Sequence, residues 1–142
     1  MTVVNLAAVM DEIGDRLATI DGLRVYRYPP DDATAPAAIV SYPDRGEFDA
    51  AYGRGMDRLT IPIVVVVAKP SARSARDRIA AYCDGSGPAS IKQVLEAGAG
   101  TYTAFNTIRV TEFEIHVVTV GTTDYLAAVF SAEISGKGSA SA

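Results

Sequence analysis

Residues 58–68, Arg58-Leu59-Thr60-Ile61-Pro62-Ile63-Val64-Val65-Val66-Val67-Ala68, decide the fold. From Ile63 to Ala68 no position is polar. A half-solvated strand would alternate apolar and polar residues, so an unbroken run signals a strand covered on both faces. Six apolar residues fall far short of the roughly 18 that a membrane helix needs. Pro62 lacks an amide hydrogen and is awkward in a central strand, which predicts a local edge or a bulge there.

The neighbouring segments supply the rest of a sheet and its cover. Residues 107–120 alternate, with Phe113, Ile115 and Val117 on one face and Glu112, Glu114 and His116 on the other. Gly121-Thr122-Thr123-Asp124 turns the chain into residues 125–134, where Leu126, Ala128, Phe130, Ala132 and Ile134 share a face, so the two segments predict an antiparallel hairpin. Upstream, Leu6, Val9, Met10, Ile13, Leu17 and Ile20 recur at helical spacing behind Asn5 as N-cap, and Asp21-Gly22 ends that helix. Gly14 inside it costs up to about 1 kcal/mol against Ala and hints at a close neighbour. Residues 23–28 read as a strand stopped by Pro29-Pro30, and residues 37–42 as a second short strand. Residues 47–57, polar and carrying Gly53 and Gly55, predict an exposed hairpin or long loop. Ser71 is the expected cap of a second helix with Ala75, Ile79, Tyr82 and Cys83 inward. Residues 90–97 form a third, with Ile91, Val94 and Leu95 apolar. The expected class is therefore α+β: a mixed, mainly antiparallel sheet with two or three helices packed on one face. One domain is expected over residues 1–135, and residues 136–142 are small and polar enough to predict a disordered tail.

Composition narrows the function. Of 142 residues 49% are apolar and 21% charged, an ordinary globular balance. Thirteen Lys+Arg against 17 Asp+Glu give −4, which argues against affinity built on neutralising many phosphates. One Cys excludes an intrachain disulfide framework and a multi-thiolate metal site, and one His excludes two-His motifs. The first residues lack a basic export signal, so the expectation is a chain made and folded in a reducing cytoplasm, with no membrane partner.

Three constellations stand out. Glu112, Glu114 and His116 project from alternate positions of one strand, about 6 to 7 Å apart, and line one face as potential metal ligands. A solvated or subunit-facing surface explains them better, because no second nitrogen or sulfur ligand lies near in sequence. Arg73, Arg76 and Arg78 crowd the start of the second helix, where positive charge opposes the helix dipole. They suit a surface that meets an acidic partner, or else a solvated face with Asp77 paired to Arg73. Glu47, Asp49, Arg54 and Asp57 mark the polar loop as a candidate assembly element. Cys83 reads as a packed small residue and no nucleophile elbow is present, so no catalytic or cofactor-binding residue is assigned and an enzyme is not expected.

The opening helix Leu6-Ala7-Ala8-Val9-Met10-Asp11-Glu12-Ile13 runs into Gly22-Leu23-Arg24-Val25-Tyr26 and then Tyr28-Pro29-Pro30-Asp31, and Ala37-Ala38-Ile39-Val40 follows Pro36. Over residues 5–135 this layout resembles the tail terminator (tail completion) proteins of long-tailed bacteriophages, and more loosely their neck and head–tail joining proteins. The resemblance implies a structural virion protein, assembled in the host bacterial cytoplasm, that forms a ring, usually a hexamer, at the head-proximal end of the tail. That ring would end growth of the tail-tube protein and present a surface to the head–tail connector protein, with DNA passing through without specific binding. It implies no cofactor and transfers no individual functional residue. A connector or tail-tube subunit is the alternative within the class. A small metal-dependent enzyme built on Glu112, Glu114 and His116 is the alternative outside it.

Overall fold

The chain order is α1 (Leu6–Leu17), β1 (Arg24–Tyr26), β2 (Ala37–Val40), β3 (Arg45–Glu47), β4 (Met56–Ala68), α2 (Ala75–Cys83), α3 (Ile91–Ala97), β5 (Thr107–Val120) and β6 (Thr123–Lys137). The computed structural model describes residues 6–20, 22–28, 36–43, 45–47, 56–69, 74–87, 89–98, 102, 105 and 107–137, with the backbone alone for 45–47, 56, 57 and 137. The strands form one sheet in the order β1-β2-β4-β6-β5, with β3 also on β4. Among the described residues only β1 and β2 pair parallel, and the other pairings are antiparallel. This is the expected α+β class with a mixed, mainly antiparallel sheet.

Strand β4 lies at the centre, and the unbroken apolar run explains why. Ile61, Ile63, Val65 and Val67 face the helices, where they meet Val9, Ile13 and Leu17 of α1, Ile79 of α2 and Ile91 and Leu95 of α3. Ala128, Phe130, Ala132 and Ile134 of β6 complete that layer. Val66 points the other way and is also fully buried, against Ala37 and Ala127. Among the described residues no helix supplies that second cover. Val118, Val120 and Tyr125, from the far end of the β5–β6 hairpin, pack there. Val118, Val120 and Gly121 also line a cleft of about 280 Å³ with Ile39 and Ser41, although β5 and β2 are separated by two strands. The hairpin tip therefore curls over the helix-free face. Two register irregularities accompany the curl, one between Val66 and Ala68 and one between Val110 and Glu112, and bulges increase local twist.

Pro62 occupies a local edge inside this central strand. In a β-strand the N–H and C=O of one residue point to the same side. The Pro62 carbonyl accepts from the Ser41 amide at 3.0 Å. The missing amide hydrogen therefore faces the gap between β2, whose last pair is Val40 with Ile63, and β3, whose first is Arg45 with Thr60. The proline forfeits only the return bond to Ser41, just past the last β2 pair, and the register to β6 continues through Pro62 opposite Ser131.

Several boundaries differ from expectation. Helix α2 starts at Ala75, with Ser74 in the cap position and no side-chain capping bond; Ser71 lies outside the described residues, as does Asn5. Leu6, expected on the buried stripe of α1, is 40% exposed because it begins the helix beyond the edge of the core. Ile20 is buried as expected, though it follows the helix in the turn that ends with Gly22 at φ 76°. Strand β6 runs two residues past the expected end of the domain, because Asp57 and Met56 supply antiparallel partners for Gly136 and Lys137; residues 138–142 lie outside the described residues. The neighbour anticipated at Gly14 is Arg27. A Cβ at position 14 would stand 2.5 Å from the Arg27 Cγ, and the Arg27 guanidinium crosses this gap to hydrogen-bond Asp15.

Candidate assembly surfaces

Edge strand β5 carries the first candidate cluster. The register places Glu112 opposite Ser131, Glu114 opposite Val129 and His116 opposite Ala127, all on the helix-free side. All three are exposed. His116 Nε2 stands 3.6 Å from Glu114 Oε2, at the long end of an ion-pair distance. Among the described residues no three His, Cys, Asp or Glu side chains gather as a metal site.

The arginine cluster is the second. Arg76 and Arg78 lie in the first turns of α2 and are exposed, while Arg73 lies outside the described residues. The anticipated Asp77–Arg73 pair therefore lies outside the described residues; Asp77 sits 3.4 Å from its neighbour Arg76, both side chains more than four-fifths exposed. Such a contact contributes little. Arg78 lies near the buried Tyr82 hydroxyl, whose pKa is raised by burial and partly restored by this cation. Helix α2 packs on the side of the sheet opposite Glu114 and His116, so the fold separates the two clusters rather than joining them.

The polar segment of residues 47–57 lies mostly outside the described residues, between the antiparallel strands β3 and β4. Glu47 ends β3 opposite Arg58, and Asp57 pairs with Gly136 at the start of β4. Asp49 and Arg54 lie outside the described residues.

Sequence reasoning missed a fourth feature, where α3 meets β5. Ser90 caps α3: its Oγ accepts from the Gln93 amide at 3.1 Å and donates to the Asp84 carbonyl. One turn on, Glu96 Oε2 accepts from Lys92 Nζ at 2.6 Å and from the Val110 amide at 2.9 Å. Lys92 Nζ also reaches the Val110 carbonyl at 3.4 Å. Both backbone groups of one edge residue are thus met by a helix. Burial alone would raise the Glu96 carboxyl; the bonds from Lys92 and Val110 outweigh it and hold the pKa below its ordinary value. Immediately beyond, Thr111 is the extra residue of the bulge. The signal was present in the sequence as a phase slip: apolar residues fall at even positions Ile108 and Val110, then at odd positions Phe113, Ile115 and Val117.

Past the bulge the strand leaves the helix layer. Phe113, Ile115 and Val117 face the helical side yet are 46%, 48% and 57% exposed. Phe113 leans on buried Phe130 with ring centroids 5.9 Å apart and forms the floor of an open groove of about 560 Å³ between Cys83, Lys92 and Arg109. Burial, reinforced by Asp84, pushes the Cys83 thiol up to about 11, which leaves little of it as thiolate at neutral pH. Among the described residues no helix is long and apolar enough to cross a membrane. No protein-family model matches this chain, and no curated protein matches it.

Proposed function

We propose that this chain is a ring-forming structural protein of a long-tailed bacteriophage, acting as a tail terminator at the head-proximal end of the tail tube. The observation that carries the reading is the separation of opposite charge. Arg76 and Arg78 project from the helical layer, and Glu112 and Glu114 from the other face of the sheet. Unlike patches that cannot meet within one chain favour head-to-tail contacts between copies, and such contacts close into rings when the rotation per subunit permits. The resemblance in element order supports the same reading. A net acidic ring admits DNA without trapping its phosphates.

The test is solution mass with negative-stain imaging, followed by capping of purified tail tubes. Closed rings that stop tube growth are expected. Replacing both Arg76 and Arg78 by Glu dissociates the rings, and adding Glu112→Arg with Glu114→Arg restores them. A protein that stays monomeric at millimolar concentration and leaves tubes uncapped refutes the reading.

A further inference from the structure

We propose that the outer edge of β5 is a self-recognition strand: two copies pair antiparallel through it, with Ile115 on the two-fold axis. This contact is isologous and closes on two copies, so it does not rest on the ring reading.

Ladder geometry sets the first constraint. Val110 turns both its N–H and its C=O away from β6, toward Glu96 and Lys92 of α3. One step along β6 reverses that orientation. Glu112, opposite Ser131, therefore bonds inward, and Phe113, Ile115 and Val117 direct their backbone groups outward. Beyond Val110, no described element lies outside β5. Such an edge is a template for another strand. An incoming strand must present its own outward residues, so a β5 partner pairs odd positions with odd.

Side chains then choose the register. With Ile115 opposite the partner's Ile115, Phe113 faces the partner's Val117 on the helical side. Glu114 faces the partner's His116 on the other side, and both combinations occur twice by symmetry. Sliding by one allowed step in one direction sets Glu114 against the partner's Glu114. Sliding in the other sets His116 against the partner's His116 and leaves Glu114 opposite the partner's Val118, with no imidazole to meet the carboxylate. Like charges directly opposite destabilise a strand pair, whereas aromatic–β-branched and acid–base pairs stabilise it. One register satisfies the ladder, the apolar stripe and the charges together. Charge complementarity across that register identifies the occupant as a second copy of this chain. The paired strand covers the three large apolar side chains that the helices leave exposed.

Cysteine scanning in a Cys83→Ser background tests the register. Directly opposed residues of a hydrogen-bonded pair lie about 5.5 Å apart at Cα, within disulfide reach. Ile115→Cys is expected to give a covalent dimer on mild oxidation. Phe113→Cys alone and Val117→Cys alone give no covalent dimer, since each meets its own copy four residues, about 13 Å, out of step. Mixing the two gives the heterodimeric crosslink. In an Arg76→Glu, Arg78→Glu background, where the proposed ring contacts are removed, sedimentation should show a concentration-dependent dimer that Ile115→Lys abolishes without loss of folded-state circular dichroism. Three results each overturn the proposal: no association at millimolar concentration, equal crosslinking at all three positions, or crosslinking of Ile115→Cys to Arg24→Cys, which would put β1 of another copy on this edge.

Discussion

Replacing Glu96 by Ala tests whether α3 ties off the edge of the sheet. The carboxylate accepts from the Val110 amide at 2.9 Å and from Lys92 at 2.6 Å, and Val110 is only 7% exposed. A hydrogen bond to a charged group is worth about 1.5–3 kcal/mol, and a buried amide left without a partner loses that amount in full. The Lys92 ammonium is nearly half exposed, and a helical i,i+4 pair contributes about 0.3–0.5 kcal/mol. Glu96→Ala should therefore cost about 2–3 kcal/mol, and Lys92→Ala less than about 1 kcal/mol. Glu96→Gln keeps an acceptor for Val110 and should fall between them. Urea unfolding followed by circular dichroism measures all three, and amide exchange at Val110 should accelerate selectively in Glu96→Ala. The sign with pH follows from the depressed carboxyl. Its stabilisation is complete above the ordinary Glu range and is lost as pH falls through the folded-state value, so wild type and Glu96→Gln should converge in acid. Equal costs for Glu96→Ala and Lys92→Ala would show that the pair is only a surface ion pair and that Val110 does not depend on it.

Four further expectations are cheaper to test. Gly14→Ala should gain nothing alone despite the better helix propensity, because the new Cβ meets Arg27; combined with Arg27→Ala it should recover about 0.5–1 kcal/mol relative to Arg27→Ala, read as a double-mutant cycle by thermal melts. Ser90→Ala removes the α3 cap and the bond to the Asp84 carbonyl from a fully buried position, and should lower stability by about 1–2 kcal/mol in the same assay. Cys83, with a thiol pushed up to about 11, should react with iodoacetamide near pH 8 about two orders of magnitude more slowly than a free cysteine, and a rate equal to the unfolded chain's would refute its packing. Deleting Thr111 regularises the ladder without changing which face any later residue occupies. If the bulge sets the hairpin's curl, the deletion uncovers Val66, Ala37 and Ala127 and costs about 1–3 kcal/mol, whereas Thr111→Asn stays near neutral.

Much of this fold can be read from the sequence because burial writes itself into periodicity. The polar-free run Ile63-Val64-Val65-Val66-Val67 marks a long strand with cover on both faces, and the alternation from Glu112 to Val117 assigns the faces of β5 correctly. What supplies the second cover was not legible. A run of valines demands a partner layer but says nothing about whether a helix or a curled hairpin provides it. The Glu96 clamp was equally hidden, since Lys92 and Glu96 at i,i+4 look like an ordinary surface pair. Only the three-dimensional meeting of α3 with Val110 gives the carboxylate a second, buried donor. The start of α2 moved for a related reason: with Ser71 and Ser74 both available, serine alone does not fix the first turn.

The exposure of Phe113, Ile115 and Val117 follows from lengths. Helix α3 has seven residues and spans about 10 Å, whereas β5 has fourteen and spans about 46 Å. A helix that short covers the beginning of the strand and no more. It seals Ile108 and Val110, anchors the bulge, and ends. The alternation nevertheless continues past it, with large apolar residues still on the helical side. Natural edge strands are blunted by charges, and Glu112 and Glu114 supply them on one face only. On the other face the residues have the composition of a core without the layer that would make them one. Two halves of a single strand thus carry different instructions: the first belongs to the folding of this chain, and the second is suited to a surface that arrives from outside it.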